Sequence, residues 1–389
     1  MFAKRALSLL FLGLTCSQSL GGCEHSQTQA PAAAARNEAP MSSLTSRQRA
    51  RPVGSAALND AANYVADPRV VLVTIDGVMW QDVFAGLGDA PAQDPLAAPY
   101  TPNLHRLTQE HGVLFGGPSC KNEVRAKGPY FVSLPGYFEI FTGAASDKCA
   151  TNECGQVQGP TFIDDLRKTA KSAKDVAVFA SWGHYARAAT VDTSKTFVAA
   201  ASDFNALVAT ETDPALKGIL GEGAQAGPYP GWGDYRADAF TARAALRYLE
   251  LRRPKLLVLG LGDTDEYGHR WDRHGYLRAL RKADDTLGEL SATLARMGSD
   301  GQNTIVLVTT DHGRASNFHE HGPEYPESAR VFFAAFGEGL AARGATCASE
   351  TMYLTEIAGT VKTLLGHEAP PSTLTAEMAE SVPSVVAAR

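Results

Sequence analysis

The sequence predicts an α/β fold, a three-layer α/β/α sandwich around a mostly parallel sheet, on three observations. Short apolar runs rich in β-branched residues recur at Arg69–Ile75, Val176–Ala180, Lys255–Leu261 and Thr304–Thr310, with Val331–Phe336 as a further candidate. Such runs belong to parallel strands buried on both faces. Patterns of helical period lie among them, at Thr161–Ser172, Ala237–Leu251, Tyr276–Arg296 and Leu354–Leu365, and strands alternating with helices argue for a sheet covered on both sides. Three of the runs lead into acidic residues, at the strand ends where open α/β sheets bind ligands.

The 389 residues suffice for one large α/β domain or two ordinary ones. Net charge is −6 with Lys and Arg dispersed, so there is no basic footprint for nucleic acid. Met1 to Arg5 is a short basic region, and Ala6 to Leu14 is an apolar stretch of signal-peptide rather than membrane-spanning length. Leu20-Gly-Gly-Cys23 resembles a bacterial lipobox. The expectation is a signal peptide over 1–22 and lipidation at Cys23. The competing reading is an ordinary secretion signal cleaved nearby. Residues 23–67, rich in Ala, Gln, Ser, Pro and Asn, read as a tether that cannot bury a core. They would hold a domain over 68–389 off the membrane of the cell envelope by a lipid anchor. Residues 202–235, rich in Gly, Pro and Asp, read as an insertion or long loop. Beyond Cys23 four cysteines remain, and an exported compartment permits disulfides. Three pairings are open; the preferred one joins Cys149 to Cys154 across a short loop and Cys120 to Cys347 over a long range.

The acids carry the chemistry. V-L-V-T-I-D-G places Asp76 after the first strand, L-G-L-G-D-T-D-E-Y-G-H offers Asp263, Asp265 and His269 after the third, and V-L-V-T-T-D-H-G-R offers Asp311 and His312 after the fourth. N-F-H-E-H-G follows with His319 and His321. Carboxylates clustered on one rim repel, and buried charge is costly unless paired or metal-bound. Divalent cations resolve both, and mixed carboxylate and imidazole ligands suit zinc, manganese or iron better than calcium or magnesium. Enough ligands are present for two ions.

In order and spacing, T-I-D-G at 74–77, S-L-P-G-Y…T-G at 133–143, D-E-Y-G-H at 265–269, T-D-H-G at 310–313 and H-G at 321–322 resemble the alkaline phosphatase superfamily, in particular its nucleotide pyrophosphatase/phosphodiesterase-like branch. The resemblance covers residues 68 to about 370. It implies an alkaline-phosphatase-like fold and a two-metal site, zinc first among the candidates. One ion would be held by Asp76, Asp311 and His312 and would touch the nucleophile Ser133; the other would be held by Asp265, His269 and His321. Asp263 and His319 are the weaker members of their pairs. The implied activity is hydrolysis of a small-molecule phosphate ester, mono- or diester, through a phosphoseryl intermediate, with the helix after Ser133 aiming its amides at the phosphoryl group. Asn152 stands at the distance where relatives place a substrate-binding Asn. Arg187 lies where some monoesterases carry a Lys and an Arg, with Tyr185 at the Lys position, so that clamp is incomplete.

Ser133 also reads as a plain helix cap, since Ser shortly before Pro starts helices. Sulfatases share the superfamily, but their C/S-x-P-x-R signature meets Tyr137 where Arg is required. Other phosphotransferases of the superfamily and a non-catalytic metal-binding envelope protein are further alternatives. Trp80, Tyr130, Tyr137, Trp182 and Tyr185 are the aromatics placed to stack on a leaving group, against an ordinary packing role for each.

Overall fold

The computed structural model describes residues 67–85, 99–145, 147–201, 203–204 and 206–381. The signal peptide, Cys23 and the tether up to residue 66 lie outside the described residues. The strands are β1 (Arg69–Ile75), β2 (Gly112–Phe115), β3 (Val124–Arg125), β4 (Val176–Ala180), β5 (Phe197–Ala200), β6 (Asp203–Phe204), β7 (Leu256–Leu261), β8 (Thr304–Thr309), β9 (Arg330–Val331), β10 (Phe333–Phe336), β11 (Gly344–Ala345) and β12 (Met352–Tyr353). Nine form one sheet in the order β11-β2-β10-β8-β1-β7-β4-β5-β6, and β12-β3-β9 form a small second sheet. In the large sheet β10 runs antiparallel to β2 and β8, and β6 antiparallel to β5; the other pairs are parallel.

The main helices are α1 (Pro102–His111), α2 (Ser133–Thr142), α3 (Phe162–Thr169), α4 (Tyr185–Ala189), α5 (Pro214–Gln225), α6 (Asp238–Arg252), α7 (Asp263–His269), α8 (Arg273–Arg296), α9 (Ile357–Leu364) and α10 (Thr373–Glu380). Alternate strand residues feed two separate cores, which makes the sandwich. Val70 and Leu72 of β1, Leu256 and Val258 of β7 and Leu307 of β8 pack with Leu134, Ile140 and Phe141 of α2, Leu166 of α3 and Val361 of α9. Val71, Val73, Leu257, Leu259, Val306 and Val308 point the other way, onto Leu104 of α1, Leu216 of α5, Leu249 of α6 and Leu287 of α8. Each such side chain contributes about 1.5–3 kcal/mol of burial free energy. The continuous apolar strands read in the sequence follow from this two-sided burial.

Two expectations are corrected. Val331–Phe336 is not one strand: it breaks at Phe332, with β9 in the small sheet and β10 in the large one. Residues 202–235 are only partly irregular, because they hold α5, whose Leu216 and Leu220 are buried. Its three glycines disguise it, yet Asp213 caps it and Pro214 opens it. The buried Arg236 ties this segment to the sheet, donating to the carbonyls of Ala180, Ala199 and Ala201 at the ends of β4 and β5. Disulfides join Cys120 to Cys347 and Cys149 to Cys154. Among the described residues no helix is long and apolar enough to cross a membrane.

Candidate metal centre and nucleophile

β8, β1 and β7 are adjacent and parallel, so their carboxyl ends open on one rim. Asp76 follows β1, Asp311 and His312 follow β8, and α7 after β7 supplies Asp265 and His269. Ser133 opens α2, which lies over the same rim and is buried there. Two glycines let these parts approach. A Cβ on Gly77, whose φ is +60°, would stand 2.3 Å from Asp265 Oδ1, and a Cβ on Gly136 would stand 2.5 Å from the Asp311 carbonyl oxygen. Any side chain there would push α7 or α2 away.

Two groups of ligand atoms result. In the first, Ser133 Oγ lies 3.3 Å from Asp76 Oδ1 and 3.4 Å from His312 Nε2. His312 Nε2 is 3.5 Å from Asp76 Oδ1 and 3.4 Å from Asp311 Oδ2. In the second, His269 Nε2 is 2.9 Å from Asp265 Oδ2 and 3.2 Å from His321 Nε2. The imidazoles of His312 and His321 stack with centroids 4.0 Å apart, so the groups adjoin. His312 Nδ1 pairs with the Gly313 carbonyl at 2.8 Å and His321 Nδ1 with the Phe131 carbonyl at 2.9 Å. Both rings therefore present Nε2 to the centre, as metal-ligating histidines do.

The electrostatics ask for cations. Burial, then Asp311 and Asp265, push the Asp76 carboxyl well up. Burial, then Asp265, push Asp311 up to about 8. Burial, then His321, hold His312 well down, and burial brings His321 down to about 4. Burial also pushes Asp265 up, but His269 and Arg314 outweigh it and hold that carboxyl low. Acids that resist ionising together and imidazoles that resist protonation are what a cation-binding pocket becomes without its cation. One atom makes the point directly: Asp311 Oδ1 accepts from the Gly77 amide at 3.1 Å, while Asp311 Oδ2 is buried without a hydrogen-bond partner. The donor set fits divalent metal ions, in the groups Asp76, Asp265, His312 and Asp265, His269, His321, with Asp311 Oδ2 completing the first.

Other expected residues stand further out. Asn152 Oδ1 accepts from the Leu134 amide at 2.9 Å, which brings Asn152 onto the first turn of α2 and leaves its Nδ2 as a donor. Pro135 has no amide hydrogen and the Gly136 amide bonds Val132, so α2 does not present its first-turn amides as an open anion site in the way expected. Arg187 donates to the Cys154 carbonyl at 3.2 Å and braces the disulfide loop that carries Asn152. Asp263 turns away to accept from Tyr235 at 2.8 Å. His319 stacks on Trp271 at 3.4 Å, outside both ligand groups. Tyr137 and Tyr185 are buried, whereas the exposed aromatics near the rim are Tyr229, Trp232 and Trp271. The sequence reading missed Arg314, buried against Gly77 O at 2.8 Å and bonded to Asp265 Oδ1. It also missed the hydroxyl of Tyr137, which donates to Asp76 Oδ2 at 2.8 Å. The signal for the second was present: Tyr137 lies four residues after Ser133, on the same face of a helix.

Residues 236–369 match the model of the Metalloenzyme superfamily. A phosphopentomutase from Deinococcus radiodurans is 30% identical over 164 residues, 40% of this chain and 38% of that protein, so the match spans well under half of either. A 2-O GAG sulfatase aligns with TM-score 0.53 at 12% identity, covering 81% of this chain and 75% of its own. The lipoteichoic acid synthase LtaP from Listeria monocytogenes aligns with TM-score 0.54 at 13% identity over 85% and 82%. A protein of the alkaline phosphatase superfamily from Vibrio parahaemolyticus gives 0.52, 13%, 81% and 76%. Residues 236–369 thus carry the sequence pattern of the Metalloenzyme superfamily, on an alkaline-phosphatase-like fold shared with sulfatases.

Proposed function

We propose that the chain is a metal-dependent hydrolase of phosphate esters with Ser133 as nucleophile. The observation that carries this is the place of Ser133 Oγ, 3.3 Å from Asp76 Oδ1 and 3.4 Å from His312 Nε2, beside Asp311 Oδ2, which is buried without a hydrogen bond. Asp76, Asp311 and His312 would hold one divalent ion and bring it against Ser133; Asp265, His269 and His321 would hold the other. When bound, such ions supply charge neutralisation, lower the pKa of a coordinated hydroxyl and stabilise the departing oxygen. Ser133 Oγ would lose its proton to solvent and bond to phosphorus as the ester P–O bond breaks, the departing alkoxide taking a proton from water. A water molecule would then attack phosphorus, the Oγ–P bond would break, and the seryl oxygen would take up the proton that the water loses as the phosphate product leaves. Asn152 Nδ2, fixed from α2, is the donor for a phosphoryl oxygen. Ser133→Ala should lower turnover at least 1,000-fold while retaining the wild-type metal content; near-normal rates would sink Ser133 as nucleophile.

Sulfate ester hydrolysis is the second reading, favoured by the fold likeness to a 2-O GAG sulfatase. Tyr137 in place of the signature Arg weighs against it, since formylglycine maturation depends on that signature. Turnover of p-nitrophenyl phosphate, bis-p-nitrophenyl phosphate and p-nitrophenyl sulfate by zinc- or manganese-loaded protein decides. Phosphate turnover without sulfate turnover is expected. No turnover of any would favour a non-catalytic metal-binding protein. The same proposal has the enzyme exported and held at the cell envelope through Cys23. Its support is the Leu20-Gly-Gly-Cys23 motif after a short apolar stretch, and unchanged membrane partitioning of Cys23→Ala would count against it.

A further inference from the structure

Two buried phenols are aimed at the end of β1 and the residue that follows it. Tyr137 and Tyr185 are each 1% exposed, with ring centroids 4.4 Å apart. Tyr137, on α2, donates to Asp76 Oδ2 at 2.8 Å; Tyr185, on α4, has its hydroxyl 2.9 Å from Thr74 Oγ1. Thr74 lies in β1 and Asp76 opens the turn that follows it; both rings belong to the core that Val70 and Leu72 face, so they hold the same side of the sheet. Room for Tyr185 comes from Gly260 of the neighbouring β7, where a Cβ would stand 2.6 Å from the ring. Packing alone does not account for the hydroxyls. Phenylalanine would fill the same space, and burying a phenol costs free energy unless its O–H finds a partner.

We propose that Tyr137 and Tyr185 form a bracket that positions Asp76, so that Oδ1 and not Oδ2 faces Ser133 and the first ion. A free carboxylate can turn either oxygen, or both, toward a cation. With Tyr137 on Oδ2, only Oδ1 is left to lie 3.3 Å from Ser133 Oγ and 3.5 Å from His312 Nε2. Tyr185 keeps the Tyr137 ring in place and pins the strand two residues earlier. The bracket rests on the two-metal reading above, and it deepens that reading by making one of the two ions depend on residues that do not touch it.

The test is calorimetric titration of chelator-stripped protein with zinc, reading each binding event separately. Tyr137→Phe keeps the ring and removes the donor. One event should weaken by ~10-fold or more, the usual effect of losing a hydrogen bond to a ligating side chain, with the other within about threefold. Tyr185→Phe, which leaves the Asp76 hydrogen bond intact, should weaken the same event by a smaller factor and serves if Tyr137→Phe does not fold. Two wild-type-like events in Tyr137→Phe, or equal weakening of both, would overturn the bracket and leave the metal centre standing. Absence of any binding by the wild type would remove the two-metal reading and the bracket with it.

Discussion

Asp311 gives its two oxygens different surroundings, a backbone amide bonded to Oδ1 and no hydrogen bond to Oδ2, which faces the His312 imidazole. Asp311→Asn keeps an acceptor for Gly77 and removes a charge that burial and Asp265 already disfavour. The expected result is a metal-free protein at least as stable as wild type, whose zinc affinity at one site falls ~10-fold or more; melting with and without zinc reads both, because a ligand bound only by the folded state raises its stability. Arg314 should behave in the opposite way. Arg314→Met leaves Asp265 buried and short of its guanidinium, and breaking a buried pair costs about 3–5 kcal/mol, measurable in denaturant. Asp76, Ser133, Asp265, His269, Asp311, His312 and His321 were legible in the sequence because each sits at a fixed offset from a strand run or a short motif. Arg314 was not, and for Tyr137 the sequence offered only its helical offset from Ser133, not the partner of its hydroxyl. Their partners lie 49 and 61 residues away, and only the closed fold brings them together.

At the scale of the element, α2 is a helix that cannot shift without moving Ser133. Gly136→Val would press a branched side chain against the Asp311 backbone. Overpacking of this kind costs about 1–3 kcal/mol, and here the displacement falls one turn from Ser133, so activity should drop further than stability. The same helix carries a pH-sensitive group. Glu139 is buried and pushed up to about 7 by that burial, against the opposing amides of Lys127 and Gly128. Its protonated form suits the folded state, so its contribution to stability is present below the unfolded value near 4.5 and is lost as pH rises through about 7. Glu139→Gln should therefore gain on wild type in melting temperature as pH is raised from 5 to 8; a difference constant with pH would refute the assignment. The four main strands were readable from their continuous apolar runs and the long helices α6 and α8 from helical period, whereas α5 was hidden by its glycines. The run at 331–336 looked continuous because apolar content is the same on both sides of Phe332, and only the departure of β9 to another sheet separates them.

For the whole molecule, the two disulfides have different duties. Cys120–Cys347 closes a loop of 227 residues and Cys149–Cys154 one of 5. Chain entropy assigns the long one up to about 5 kcal/mol and the short one about 2 kcal/mol. Cys120→Ser with Cys347→Ser should lower the denaturation midpoint more. Cys149→Ser with Cys154→Ser should mainly raise KM for phosphate esters, through the loop that sets Asn152 on α2. The sheet order has a further consequence, in time rather than in space. β1 is an unbroken apolar strand, RVVLVTI, and both of its hydrogen-bonding edges belong to β7 and β8. About 180 residues separate its end from the start of β7 and about 230 from the start of β8, so at ~5–20 residues per second both edges stay open for roughly 10 s or more and the β8 edge for up to about 50 s of synthesis. During that interval β1 is an edge available to any other nascent chain. The strand that leads into Asp76 at the centre of the finished fold is thus an open edge while the chain is being made.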